Sequence, residues 1–354
     1  MKVVRLVVAL AIAAMLAAPA RAADPNAGVA DFIASGHARS NYYRAMAKLP
    51  PLRLDPGLSN GAALHARYLV ANGIMGGSFT LKDKRISVNA PKPQPKGNKD
   101  DNEESPPLAP WLTEDKGKPF YTDAGASAAY YAVVLSAKRL DITGTEYMDQ
   151  LVAMPITSIV GVLSPQLERI GVGGYCTDSQ CAVVITARVG LEKARFLQLY
   201  EGEQHDRMWN ADEGPLPFAI EHLKSPVEFP PDGSTVSLSA YDGTDWPNAI
   251  KACPDYSAPT GFGISLQLGQ GNGPSGSVEV TDHSLSLNGT EVESCVVTAK
   301  SFSGDSEGDA TARRVLSRWG AALVIARQPL KPGRYQVSIS ADSKPYSWSF
   351  TVGQ

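Results

Sequence analysis

The histidines are the side chains of this sequence best suited to acid–base or metal chemistry, and there are five: His37, His65, His205, His222 and His283. The last three form no spaced set of metal ligands. His65 shares one face of a predicted helix with three apolar side chains, those of Leu58, Ala62 and Leu69. We therefore expect it to be a hydrogen-bonded core or cleft-wall histidine, or one member of a binding pair.

Cysteine chemistry is the second possibility. Cys176 and Cys181 lie close together, and Cys253 and Cys295 lie in the C-terminal part of the chain. An even number of cysteines in an exported protein favours disulfides, and three connectivities are possible. Pairing within each predicted domain needs the least long-range ordering, whereas four buried free thiols are the alternative. The sequence gives little support for a metal site, because neither pair has a CxxC motif or an adjacent histidine.

The N-terminus predicts export. Lys2 and Arg5 precede the apolar run LVVALAIAAMLAAPA, and the triplet 20–22 reads Ala-Arg-Ala, an A-x-A cleavage site. The apolar run is shorter than the roughly 20 residues that a membrane span requires, so a retained anchor is the less favoured alternative. We expect cleavage after residue 22 and a secreted or periplasmic mature protein.

The charge excludes one class of partner. The formal net charge of the chain is −3, and loss of the three cations of the predicted signal peptide would make it −6. A mildly acidic chain with scattered lysines has no basic stripe, so no nucleic acid partner is expected. No later segment is long and apolar enough to predict a transmembrane segment, and the sequence does not indicate the oligomeric state.

A chain of 354 residues exceeds what one hydrophobic core usually organises, so two domains are expected. The fold class is predicted as α+β over residues 28–195, followed by an all-β sandwich over 229–354, with 196–228 as a linker. Helices are predicted over about 28–48, 56–71, 122–138 and 145–153, and RIGVGGYC and CAVVITARV predict a hairpin. Residues 86–108 are nearly free of apolar side chains, which predicts a flexible loop.

Period-two alternation predicts the sandwich. The segments GISLQL, SVEVT, SLSLN, ESCVVTAK, AALVIAR, RYQVSIS and PYSWSFTV are expected to be its strands. Trp246 is expected either to be buried in the sandwich or, if exposed, to contact a carbohydrate or peptide.

Three segments together resemble a known superfamily. The runs NYYRAMAKLPPLRLDPGLSNGAALHARYLVANG (41–73), EDKGKPFYTDAGASAAYYAVV (114–134) and MPITSIVGVLSPQLERIGVGGY (154–175) follow one another in the order seen in bacterial cysteine-rich secretory, antigen 5 and pathogenesis-related proteins. This resemblance implies a three-layer α-β-α sandwich with a central cleft over residues 28–195. The C-terminal sandwich is predicted to be immunoglobulin-like.

The resemblance also shows departures from the family pattern. Many members carry two histidines and two glutamates in the cleft, and this set can hold a divalent metal. Thr157 stands at one expected histidine position and Leu112 at the other, whereas Glu114 matches an expected glutamate. We therefore expect no metal and no cofactor. The resemblance places six side chains at the ligand cleft: His65, Glu114, Tyr121, Thr157, Asn41 and Arg44.

Three functions follow as hypotheses. The first is an exported binding protein whose cleft holds a small apolar or envelope-derived ligand, without catalysis. The second is a hydrolase or peptidase acting on envelope material, with Glu114 and His65 as acid and base. The third is adhesion or scaffolding through the C-terminal sandwich.

Overall fold

The computed structural model describes residues 24–75, 80–81, 84–85, 110–129, 132–165, 167, 169–187, 226–243, 247–269 and 277–353. The predicted signal peptide, the predicted loop 86–108, residues 196–225 of the predicted linker, and Trp246 lie outside these residues. None of the described helices is both long and apolar enough to cross a membrane.

The N-terminal part of the described chain is a mixed α/β arrangement. Its elements are α1 (Ala27–Met46), β1 (Arg53–Leu54), α2 (Pro56–Ala71), β2 (Thr80–Leu81), β3 (Lys84–Arg85), α3 (Asp123–Ala129), β4 (Ala132–Ala137), α4 (Gly144–Ala153), α5 (Pro155–Val160), β5 (Arg169–Cys176) and β6 (Cys181–Ala187). One sheet has the strand order β1-β5-β6-β4, with β1 parallel to β5 and the other neighbours antiparallel. Helix α2 packs on this sheet, and α1 packs on both β5 and α4.

Glycines set the distance between these layers. Gly171 and Gly173 of β5 lie directly against the backbone of α2, at Leu58 and Ala63, where a Cβ atom would overlap it. Gly144 of α4 makes the same kind of approach to α1. Strand β5 presents alternate side chains to α2 and to α1, because its side chains alternate between the two faces of the sheet. The α+β class and the helix–sheet–helix layering predicted from the sequence are confirmed.

The first two helices and the β5–β6 hairpin lie where the sequence predicts them, whereas the third predicted helix is wrong beyond residue 129. There the chain leaves α3 and forms β4, in which Val133 and Val134 pair with residues of β6. The β-branched side chains of this stretch fit a pleated strand better than a helix. Helix α4 begins with a capping box between Thr143 and Glu146.

The C-terminal part is rich in strands. Its elements are β7 (Val227–Phe229), β8 (Ser234–Val236), β9 (Ile264–Gln267), β10 (Val280–Leu287), β11 (Thr290–Glu291), β12 (Ser294–Val297), α6 (Glu307–Arg318), β13 (Ala321–Ala326), β14 (Gly333–Ala341) and β15 (Lys344–Val352). One sheet has the order β11-β10-β14-β15-β8 and a second has the order β12-β13-β9-β7. Buried side chains of both sheets, including Trp348, Phe350 and Ile264, belong to one hydrophobic cluster.

Two details of this part differ from prediction. SVEVT and SLSLN are not separate strands, because the single strand β10 begins within the first and continues into the second. Its pairing with β14 has a register shift between Val280 and Asp282. Helix α6 was not predicted, although Ser306 caps it by accepting a hydrogen bond from the Asp309 backbone N–H at 3.1 Å. Its sequence is strongly polar and only one side of the helix is buried. Too few apolar residues therefore recur at helical spacing to predict the helix.

Both predicted disulfide pairings are confirmed. Cys176 and Cys181 join the facing ends of β5 and β6. Cys253 follows a 3₁₀ turn at Ala249–Ala252 and pairs with Cys295 of β12. Each bond therefore lies within its own part of the chain, as the least long-range pairing requires.

The two parts of the chain are packed against each other. The rings of Tyr43 and Phe229 have centroids 5.8 Å apart, and the Gln267 side-chain amide donates to the Leu163 carbonyl at 3.2 Å. Gly263 lies so close to Pro155 that a Cβ atom would overlap the proline ring. A single hydrophobic cluster includes side chains from both parts, so the C-terminal sheets cover part of the N-terminal core.

Candidate functional site

Helix α2 positions His65 in the interior. Asp55 accepts a hydrogen bond from the Leu58 backbone N–H at 3.0 Å and caps the helix. The inward face of the helix carries Ala62, Ala66 and Leu69 beside His65, and all four side chains are completely buried. The imidazole therefore lies among apolar side chains, where every polar atom needs a partner.

Both imidazole nitrogens have such a partner. Nδ1 of His65 lies 2.9 Å from Oε1 of Glu114, and Nε2 lies 2.9 Å from the Trp111 carbonyl oxygen. A carbonyl oxygen only accepts, so Nε2 carries a proton and donates it. Nδ1 then either donates to a carboxylate, as part of an imidazolium, or accepts from a protonated carboxyl. In both states each ring nitrogen is occupied, and neither offers a lone pair to a metal ion.

Glu114 is held as tightly as His65. Its second oxygen, Oε2, accepts from the Thr122 backbone N–H at 3.0 Å, and its side chain has no exposed surface. Gly125 at the start of α3 leaves room for it, because a Cβ atom there would overlap the carboxylate. The pair thus connects helix α2, the 110–122 segment and the first turn of α3.

Helix α2 holds the 110–122 segment at three successive positions. The first contact is the hydrogen bond from His65 to the Trp111 carbonyl. Further along the helix, Tyr68 accepts from the Asp115 backbone N–H at 2.8 Å. Asn72 then donates to the Pro119 carbonyl at 3.0 Å. Their spacing of three and four residues places all three on one side of the helix. The His65–Glu114 pair is therefore one of several tethers that fix this segment.

The predicted cleft residue Arg44 is buried elsewhere. Its side chain is completely buried, and its guanidinium donates to backbone carbonyls at distances of 2.6–2.9 Å; the acceptors are Pro50, Val162, Ser164 and Leu167. Arg44, which the resemblance placed at the ligand cleft, therefore has no exposed surface in this structure. Five donors in a rigid fork match several carbonyl oxygens at once, and this explains why an arginine occupies the position.

Asn41 and Thr157 lie away from the His65–Glu114 pair. Asn41 accepts from the Leu52 backbone N–H at 2.7 Å and donates to its carbonyl at 3.1 Å, so its amide closes the turn after α1. His37 is partly buried beside it, with Nε2 2.9 Å from the same carbonyl. Thr157 is a partly buried residue of α5. The structure does not gather the six predicted cleft residues into one site.

Tyr43, near the end of α1, is structural too. The Tyr43 hydroxyl donates to Asp149 at 2.8 Å, and Arg39 bonds the same carboxylate. Burial, followed by the nearby carboxylate of Asp149, raises the pKa of Tyr43 well above its ordinary value. Arg39 also reaches Ser237 of the C-terminal part at 3.5 Å, so this cluster belongs to the contact between the two parts.

A small pocket lies between α1, α4 and the sheet. Its volume is about 10 Å³, which is room for about one water molecule. The lining is mostly apolar, from Phe32, Ile33, Gly36, His37, Ser40, Met148, Ile170, Val172 and Ile185. Small-molecule sites are usually several hundred cubic ångströms in volume, so in this conformation the pocket does not hold a ligand of that size.

Metal binding finds no support in the described residues. Within the ranges given above, no three His, Cys, Asp or Glu side chains come together as a potential metal site. Thr157 supplies no imidazole, and both nitrogens of His65 are engaged. The side chain of Leu112 lies outside what the structure describes.

Tyr121 lies at the edge of a surface that the sequence did not predict. Its hydroxyl donates to Asp123 at 2.7 Å, and its ring is partly buried. Next to it Phe120 is 46% exposed, and the guanidinium of Arg67 lies 4.1 Å from the centre of the Phe120 ring. The only sequence signal was a Pro-Phe-Tyr run preceded by two lysines, because Arg67 and Phe120 are far apart in the chain.

Comparison with known proteins supports the sequence resemblance for the N-terminal part. The selenomethionine form of PcoC, a copper resistance protein from Escherichia coli, has 18% identity to this chain, covers 37% of it and 97% of its own length, and has a TM-score of 0.19. At that TM-score the likeness carries no argument. No curated protein matches the chain. Residues 37–187, from within α1 to the end of β6, match the model of the cysteine-rich secretory protein family, CAP.

Proposed function

We propose that this is an exported binding protein, in which the part similar to the cysteine-rich secretory family binds a small apolar or envelope-derived ligand without catalysing a reaction. The family match over residues 37–187 and the two disulfides support export. The proposal that the protein binds without catalysis rests on the His65–Glu114 pair, whose side chains are both completely buried.

A general acid or base must come within hydrogen-bond reach of a substrate atom, directly or through one water. Neither side chain of this pair has exposed surface, and the described partners already occupy both imidazole nitrogens and both carboxylate oxygens. Catalysis by this pair would first require the 110–122 segment to leave α2. The geometry therefore favours a structural role for the two groups whose types suggest chemistry.

Adhesion through the C-terminal sheets remains the alternative from another class of function. A deletion of residues 225–354 would test it poorly, because Phe229 and Gln267 contact Tyr43 and Leu163 of the N-terminal part. Such a deletion would expose buried apolar surface and destabilise what remains. Surface substitutions in the full chain are the sounder way to separate the two functions.

Native mass spectrometry of the full-length mature protein, purified gently from its own envelope, tests the proposal. We expect a mass excess that matches a lipid or a muropeptide, and we expect Glu114→Gln to retain it, because glutamine can still donate to Nδ1 and accept from Thr122. Glu291→Gln, at an exposed residue of β11, is the matched control.

Three results would overturn the proposal. One is a stoichiometric divalent metal in the native protein. Another is turnover of purified envelope material that Glu114→Gln abolishes while Glu291→Gln leaves it unchanged. A protein that carries no ligand and turns nothing over would also refute it, and adhesion would then become the leading function.

A further inference from the structure

The end of α2 and the 115–120 segment form a protruding surface. All six residues of the segment DKGKPF are exposed. Phe120 is 46% exposed and Met75, just after α2, is 41% exposed. Large apolar side chains that are exposed to water have an energetic cost, and their exposure is one mark of an interaction site. We call this area, with Arg67, Lys116 and Lys118, the Phe120 surface.

The backbone holds the Phe120 ring outward. Phe120 has φ of 62°, in the left-handed region that bulky residues rarely adopt. The segment is anchored from beneath, where Tyr68 and Asn72 bond the backbone at Asp115 and Pro119. These two hydrogen bonds to α2 therefore help to fix the exposed position of the ring.

The same surface carries three cations, those of Arg67, Lys116 and Lys118. The guanidinium of Arg67 lies 4.1 Å from the centre of the Phe120 ring and 5.9 Å from that of Tyr175, and stacking of this kind leaves its N–H edges free. Within the described part of the chain, Arg67, Lys116 and Lys118 make no salt bridge.

Two exposed carboxylates lie nearby, and each has a local donor. Asp115 accepts from the Gly117 backbone N–H at 2.8 Å, and Asp123 accepts from the Tyr121 hydroxyl at 2.7 Å. They reduce the positive charge of the surface without pairing with its cations. The whole chain has a net charge of −3, so a site whose three cations make no salt bridge with any described residue differs from the average of the molecule.

We propose that the Phe120 surface binds the anionic face of a lipid bilayer. Phe120 and Met75 would enter the boundary between headgroups and acyl chains, and Arg67, Lys116 and Lys118 would contact lipid phosphates. Charge complementarity and the exposed apolar tip together favour a membrane over a soluble anion, which would need the cations alone. The inference rests on the proposed function only in that an exported protein reaches an envelope membrane.

Vesicle sedimentation with the full-length mature protein tests this proposal. The vesicles are an equimolar mixture of phosphatidylglycerol and phosphatidylcholine, compared with phosphatidylcholine alone. We expect binding to the anionic vesicles, weakened by salt. Arg67→Gln should lower affinity about fivefold, and Phe120→Gly should lower it about tenfold or more, because the ring supplies most of the apolar area.

The controls are matched in chemistry and placed elsewhere. Lys344→Gln removes an exposed cation at the start of β15, and Leu54→Ala shortens a side chain that is 38% exposed. Both should bind as the unmodified protein does. Circular dichroism and urea midpoints of all variants separate lost binding from lost folding.

Three results would overturn the membrane proposal: equal binding to neutral vesicles, unchanged binding of Arg67→Gln and Phe120→Gly, or full competition by inorganic phosphate, which would indicate a site for free anions. Native mass spectrometry of the same variants separates the two proposals. Loss of vesicle binding with a retained envelope ligand refutes only the membrane surface, whereas vesicle binding without a captured ligand refutes only the proposed function.

Discussion

Two arginines of the N-terminal part occupy opposite environments. Arg44 is completely buried, and its guanidinium donates to four backbone carbonyls. Arg67 lies on the outer face of α2, stacked on Phe120, and no salt bridge occupies it within the described residues. The N–H groups of Arg44 bind backbone carbonyls within the fold, whereas those of Arg67 are available to another molecule.

The same contrast holds along α2 itself. His65 and Arg67 are only two residues apart, yet the imidazole is enclosed and satisfied while the guanidinium is exposed. The buried polar groups of Arg44, His65 and Glu114 are tethers, because an unpaired polar atom in the interior would cost stability. Recognition is therefore expected from the surface, where donors and apolar rings are left without partners.

Replacing Arg44 should give the largest loss of stability. Arg44→Met keeps most of the volume but leaves buried carbonyl oxygens, such as those of Val162 and Ser164, without their donor. We expect the free energy of unfolding to fall by about 3–5 kcal/mol. Urea unfolding at constant m-value measures it.

Arg139→Met, at an exposed residue, is the control for Arg44→Met and should change stability by less than about 0.5 kcal/mol. If Arg44→Met were as mild as this control, the carbonyls around Arg44 would be satisfied in another way. The contrast between buried and exposed arginines would then fail.

Glu114→Ala should follow, with a loss of about 2–3 kcal/mol, because it leaves His65 Nδ1 and the Thr122 backbone N–H buried without partners. Glu114→Gln restores a donor and an acceptor and should recover at least half of that loss. Thermal and urea unfolding of the two variants measure the difference. Equal losses would mean that the charge of the carboxylate, rather than its hydrogen bonds, holds the segment.

The layered arrangement of the N-terminal part could be predicted because its signals are local or carried by the family resemblance. Asp55 and Pro56 mark the start of α2, and alternation marks the β5–β6 hairpin. Beyond residue 129 the prediction failed. Ala-rich sequence continued a helical pattern, but pairing of β4 with β6 outweighed this local preference.

The site was only partly predictable. His65 was correctly placed on a buried helix face, and its resemblance-based partner Glu114 does lie beside it. The sequence could not reveal that both groups are enclosed, since enclosure depends on the Trp111 carbonyl and on Gly125, which come from other segments. The burial of Arg44 was not predictable for the same reason, because three of its four acceptors, the carbonyls of Val162, Ser164 and Leu167, come from a distant part of the chain.

A smaller effect is expected at the start of α2. Asp55→Ala removes the helix cap and should cost about 1 kcal/mol near neutral pH. The hydrogen bond from the Leu58 backbone N–H, the main cause, lowers the pKa of Asp55 below its ordinary value of 3.8. The cap therefore contributes its full stability above that value and loses it as pH falls through the lower pKa of the folded state.

Urea unfolding of the unmodified protein and of Asp55→Ala, at neutral pH and again well below pH 3.8, measures this dependence. The difference between the two proteins should shrink in acid. Asp305→Ala, at an exposed residue, should show no difference at either pH. A gap that widened in acid would contradict the assignment of Asp55 as an ionised cap.

The smallest effect is expected at Phe120, where the positive φ favours glycine but the ring contacts Arg67. Glycine adopts a φ of 62° without strain, whereas alanine keeps the strain and also lacks the ring. Phe120→Gly should therefore be more stable than Phe120→Ala by about 1 kcal/mol. Relative to the unmodified protein, the glycine variant should lie within about 1 kcal/mol, because relief of strain offsets the lost contact with Arg67. Thermal unfolding of the three proteins measures this.

A glycine variant much less stable than the unmodified protein would make Phe120 a structural residue. The contrast between buried groups that hold the fold and surface groups that can bind another molecule would then lose its clearest example.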